Sequence, residues 1–140
     1  MPGFSTSYTH HRWRCFIPSF LVLAGITYLS LIKDVPIPEL QSVMLADKWG
    51  HMVAYLVFAI CLARDCYRAR LSTCTVYTVA SLLPVAYGGL IELIQPHFPP
   101  RQGEWADWIA DCIGVAVGLM LFVLFYLWNK RRKNRLQHAE

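Results

Sequence analysis

Asp47, Lys48, His51 and Tyr55 stand at helical spacings, with His51 four residues after Asp47 and Tyr55 four after that, so one stripe of a helix would carry them. Gly88, Glu92 and Gln95 follow at intervals of four and three, with Tyr87 beside them and Pro96 closing the segment. Asp107 and Asp111 lie one turn apart, and the same face continues as Gly114 and Gly118; Arg101 sits in the stretch between the last two groups. These residue types allow three kinds of chemistry. Lys48, His51 and Arg101 can hold phosphate or carboxylate oxygens, Arg in bidentate fashion, while Tyr55, Tyr87 and Gln95 donate or accept. Glu92 and His51 can exchange protons while Arg101 stabilises developing negative charge. His51 with Glu92, Asp107 and Asp111 could surround a divalent ion, but one His among scattered carboxylates lacks the usual ligand spacing, so no metal and no cofactor is expected. The chain has no nucleophile elbow, no His-Glu-x-x-His and no Ser-His-Asp cue.

The elements that must position these residues follow from composition. Of 140 residues, 56% are hydrophobic and 16% charged, against roughly 25% charged in a soluble domain. Four blocks, 15–32, 49–63, 71–91 and 112–129, contain no Asp, Glu, Lys or Arg and make up about half the chain. A bilayer core about 30 Å thick takes about 20 mostly apolar helical residues. Each block, extended slightly at its ends, crosses once, and the sequence predicts an all-α, polytopic bundle of four transmembrane helices at about 15–32, 47–64, 72–95 and 107–129. The first block exceeds a signal peptide's apolar region and no small-x-small cleavage site follows it, so it is expected to be retained. A lead over 1–14 and a basic tail over 130–140 flank the membrane domain of 15–129.

Charge gives the orientation. Arg12, Arg14, Arg64, Arg68, Arg70, Lys130, Arg131, Arg132, Lys133 and Arg135 fall on one side of a four-span topology, and only Lys33, Lys48 and Arg101 on the other. Positive loops resist translocation, so both termini are expected to be cytoplasmic. Trp13 and Trp128 then mark the inner interface and Trp49, Trp105 and Trp108 the outer one. The basic tail reads as a topology and lipid anchor beside a span, not as a nucleic-acid site. Five cysteines, an odd number without metal-type spacing, imply no disulfide framework. With this orientation the polar stripes of helices 2, 3 and 4 all fall at the outer end. A small wet pocket is expected there, with the loop bearing Arg101 and Glu104 as its lid. Pro84 is expected to kink helix 3, and Gly114-x-x-x-Gly118 reads as close helix packing rather than a dedicated dimer motif, so a homo-oligomer is not strongly indicated.

These spacings resemble the VanZ-like family. The elements that carry the resemblance are Asp47-Lys48-Trp49-Gly50-His51 with Tyr55; Tyr87-Gly88 with Glu92-Leu93-Ile94-Gln95; Pro100-Arg101; Asp107; and Gly114 with Gly118. They span about half the chain. The family commonly has Asn where this chain has Asp111, and a second carboxylate there implies a partner cation or a shared proton. The resemblance implies a small integral protein of the bacterial cytoplasmic membrane, of a type associated with resistance to the glycopeptide teicoplanin at the cell surface. It implies no reaction.

Three readings of the stripes follow. The first is binding or modulation of an anionic envelope lipid or lipid-linked cell-wall precursor, with Asp47, Lys48, Tyr55, Tyr87, Gln95, Asp107 and Asp111 lining the site around His51, Glu92 and Arg101. The second is an acid–base enzyme acting on such a lipid, with His51, Glu92 and Arg101 as its catalytic candidates. The third is a structural or partner-binding subunit, in which Lys48 and Arg101 neutralise the carboxylates and Asp47 and Asp107 cap their helices. Transport by alternating access has little room in four short spans without an inverted repeat.

Overall fold

The computed structural model describes residues 12–31, 44–98 and 103–137, and these form helices with short connections and no strand. The side chain of Asp47, and all of Arg101, lie outside the described residues. A short 3-10 helix, Arg12–Phe16, runs into α1, Ile17–Leu31; α2 is Met44–Arg68, α3 is Thr73–Ile94 and α4 is Trp105–Gln137. A second 3-10 turn, Gln95–His97, closes α3 where Pro96 has no N–H to continue it. Four segments, Trp13–Leu31, Lys48–Arg68, Thr73–His97 and Trp105–Gln137, are long and apolar enough to cross a bilayer, which makes this a multi-pass membrane protein.

The helix ends have local causes. At the end of α2, Arg70 takes a left-handed φ of 57°. Its N–H donates to the Tyr67 carbonyl, and that of Leu71 donates to Cys66, satisfying carbonyls the helix leaves free. Ser72 then caps α3, its Oγ accepting from the Thr75 N–H at 3.2 Å. α2 runs four residues past the expected 64, which lets Asp65 reach α1: its Oδ2 accepts from the Ser19 N–H at 3.1 Å and the Ser19 hydroxyl at 2.6 Å. A carboxylate thus caps the first turn of α1, where free N–H groups and the dipole favour it. α4 continues beyond 129 to Gln137 and takes up most of the expected tail, because Lys130 to Arg135 are good helix formers whose charge suits a helix C-terminus. α3 passes through Pro84 without ending.

Helix α2 is central. α4 packs along it most extensively, α3 leans on both, and α1 meets α2. The core is built from Tyr55, Phe58, Ala59, Leu62 and Cys66 of α2, with Val76 and Ala80 of α3, Val115 of α4 and Ile26 of α1. Large apolar side chains point outward: Phe20 is 72% exposed, Leu21 68%, Leu93 65% and Phe125 61%. Polar groups are inside, with Asp65, Glu92, Gln95, Asp107 and Asp111 all buried. This distribution would aggregate in water and suits a hydrocarbon surround.

Candidate functional site

Two glycines set the geometry. A Cβ at Gly114 would overlap the Met52 carbonyl, and one at Gly118 would lie 2.6 Å from the Leu56 carbonyl, so α4 can press its backbone against α2 only where these side chains are missing. The small-residue stripe expected to allow close packing is therefore used within the chain. Close approach brings Asp111, one turn before Gly114, level with His51, one residue before Met52. His51 Nδ1 lies 3.1 Å from Asp111 Oδ1. Asp111 is fully buried, and its other oxygen faces Gly88 of α3, where a Cβ would come within 2.6 Å of Oδ2 and 3.3 Å of the Tyr55 ring. Gly88 is thus the notch that admits both side chains.

One turn toward the helix ends, Lys48 Nζ bridges Asp107 Oδ1 and Glu104 Oε2, each at 2.9 Å. Glu92 of α3 completes the ring. Its Oε2 accepts the Glu104 N–H at 2.8 Å, and Gly103 passes so close to the Glu92 carbonyl that no side chain fits there. The segment entering α4 is thereby fastened to the end of α3. Trp108 adds a further tie, its Nε1–H donating to the Val85 carbonyl at 3.0 Å with its ring against Gly89. One ligand atom each from His51, Glu92 and Asp107 lies within 4.8 Å of the others.

Among the described residues, Glu92 Oε1, Asp111 Oδ2 and Tyr55 Oη of this ring are buried without a hydrogen-bond partner. An unsatisfied buried polar atom typically costs about 1–3 kcal/mol, so each of these is a place where a water, ion or ligand group would be stabilising. Glu92 also lines a cavity of about 220 Å³ with Gly89, Leu93, Pro96, Gly103 and Trp105. Leu93 and Trp105, which share this lining, are both exposed on the outside of the bundle. Among the described residues, four carboxylates, Glu92, Glu104, Asp107 and Asp111, meet in this network with one fixed cation, Lys48.

The structure brings Lys48, His51, Tyr55, Glu92, Asp107 and Asp111 together at one end of α2, α3 and α4. It directs two expected members elsewhere. Tyr87 shares a 2.6 Å hydrogen bond with the Thr27 hydroxyl, and buried Gln95 donates from Nε2 to the Ser30 carbonyl at 3.4 Å. These two hydrogen bonds tie α3 and the 3-10 turn that follows it to α1. Glu104, expected only as part of a lid, is a working member through its backbone N–H and its carboxylate. Asp107 lies in the first turn of α4 and pairs with Lys48 from there. At the opposite end, a groove of about 630 Å³ between α2 and α4 carries Arg64, Lys130 and Lys133 above Phe122, Phe125 and Tyr126; the charge pattern marked these cations as topology determinants and gave no sign of the groove. No family model, curated protein or solved structure matches the chain.

Proposed function

We propose that the chain is a VanZ-like protein of the bacterial cytoplasmic membrane, with both termini cytoplasmic, whose polar ring lies at the extracytoplasmic interface and binds the headgroup of an anionic envelope lipid or lipid-linked cell-wall precursor. The observation that supports this is the cavity beside Glu92: it sets a buried, partly unsatisfied carboxylate of the ring next to Leu93 and Trp105, both exposed on the outside of the bundle. A lipid can present its headgroup there while its chains stay in hydrocarbon, and no alternating access is needed. The sequence supports the orientation through its cytoplasmic excess of Lys and Arg. In this reading Arg101, four residues before Trp105 in the sequence, is the anion-binding guanidinium.

One observation favours a second reading, acid–base turnover of such a lipid. Asp111 on His51 Nδ1 is the arrangement that orients a histidine base, and Glu92 is close by. The readings separate experimentally. His51→Ala, Glu92→Gln and Arg101→Ala should each abolish whatever cellular phenotype the wild type confers, glycopeptide tolerance being the first to assay, while leaving the protein's membrane level unchanged. Loss of protein from the membrane in all three would mean that the ring serves only to hold the helices in register. Purified protein given candidate lipids should retain lipid without converting it; a product formed by the wild type and missing with Glu92→Gln would establish the enzyme instead.

A further inference from the structure

We propose that His51, Glu92 and Asp107 bind one divalent transition-metal ion, Zn²⁺ by the chemistry of the donors, with Asp111 orienting the histidine. The ligand atoms come from three different helices, α2, α3 and α4, and already lie within 4.8 Å of one another. Glu92 is 8% exposed, and its Oε1 has no hydrogen-bond partner among the described residues. That oxygen is held in place because Oε2 is fixed by the Glu104 N–H. A buried carboxylate oxygen with no donor, set beside a second carboxylate and an imidazole, is a cation's environment.

The surroundings supply what a metal-bound histidine needs. His51 Nδ1 lies 3.1 Å from Asp111 Oδ1; with Nδ1–H as the donor and Nε2 as the ligand atom, the proposed site would have the carboxylate–histidine–metal relay of established zinc sites. Asp107 has one oxygen on Lys48 and a second to offer. Among the described residues, four carboxylates meet one lysine, and a divalent ion would offset two of those charges around the buried Glu92, Asp107 and Asp111. One imidazole with two carboxylates leaves coordination positions for water or a ligand oxygen, as in sites that act on substrate. The borderline nitrogen donor and the order of divalent affinities favour Zn²⁺ over Mn²⁺ and Mg²⁺. The ion would also supply the positive charge that an anionic headgroup entering beside Glu92 requires. The metal site itself does not depend on that reading, since it stands on the ligand set alone.

The test uses the full chain in detergent micelles, with any affinity tag removed, stripped with EDTA and titrated with ZnCl₂ in the calorimeter without added lipid. One equivalent should bind. Glu92→Gln and His51→Ala should each weaken binding by at least about tenfold, and Asp111→Asn by about 10–100-fold, whereas Cys74→Ser should leave it unchanged. Absence of a stoichiometric equivalent, or binding unaltered in both Glu92→Gln and His51→Ala, would overturn the proposal. X-ray absorption on the zinc-loaded wild type makes the result independent of how the variants fold. A first shell of one imidazole and oxygen atoms is expected, and sulfur ligands or no imidazole would overturn it. Because lipid is absent throughout, bound zinc with no lipid affinity in a separate assay would sink the lipid reading alone.

Discussion

His51 Nδ1 and Asp111 Oδ1 sit 3.1 Å apart across the α2–α4 seam, joining residues 60 positions apart in the chain. The family that the sequence resembles commonly has Asn at this position, and an Asn oxygen can still accept from the imidazole. Asp111→Asn should therefore keep the helices together, with thermal unfolding in detergent close to wild type. Asp111→Ala removes the acceptor and strands a mostly buried imidazole nitrogen, which should cost about 1–3 kcal/mol. Equal unfolding temperatures for the two variants would show that the contact does not hold the seam.

The seam itself depends on missing side chains. Gly114→Ala puts a methyl into the Met52 carbonyl, and Gly118→Ala one against Leu56; because both clashes are with backbone, about 1–3 kcal/mol of destabilisation is expected for each. Gly50→Ala, with open space around it, should be neutral or stabilising by up to about 1 kcal/mol, since Ala is the better helix former. Unfolding curves for the three variants check the contrast.

Asp65 predicts a change confined to one helix. Asp65→Ala removes the acceptor of both Ser19 bonds at the start of α1, a capping loss of about 1–2 kcal/mol. Hydrogen exchange should quicken in the first turns of α1 while the α2–α4 seam stays protected. Uniform acceleration across all four helices would contradict a local cap.

Much of the fold and part of the site were legible before any coordinates. Charge-free blocks reveal spans because hydrocarbon excludes charge whatever the neighbours, and spacings of three and four on α2 and α4 put Lys48, His51, Tyr55, Asp107 and Asp111 on facing stripes. Periodicity specifies a face and leaves open what that face meets. Tyr87 on α3 and Gln95 at the start of the 3-10 turn after it meet α1 at Thr27 and Ser30, contacts that periodicity does not reveal. Asp65, next to Arg64, reads as a solvated cytoplasmic charge, and only the course of α1 makes it a buried cap. Glu104 acts through its backbone N–H, which residue type does not reveal.

Orientation is open to a direct check. With both termini cytoplasmic, a single cysteine at Glu104 in a cysteine-free background should react with a membrane-impermeant maleimide added to intact cells, and one at Gln137 should react only after the cells are opened. The reverse pattern would place the polar ring on the inner face.

The central claim is that the ring around Glu92 holds a membrane lipid. Native mass spectrometry of the protein released from its own membranes tests this directly, with wild type and Glu92→Gln measured side by side. The wild type should carry one anionic lipid per chain that survives release from the micelle, and Glu92→Gln, folded and present at the same level, should carry little or none. Equal lipid occupancy in both proteins, or none in the wild type, would contradict it.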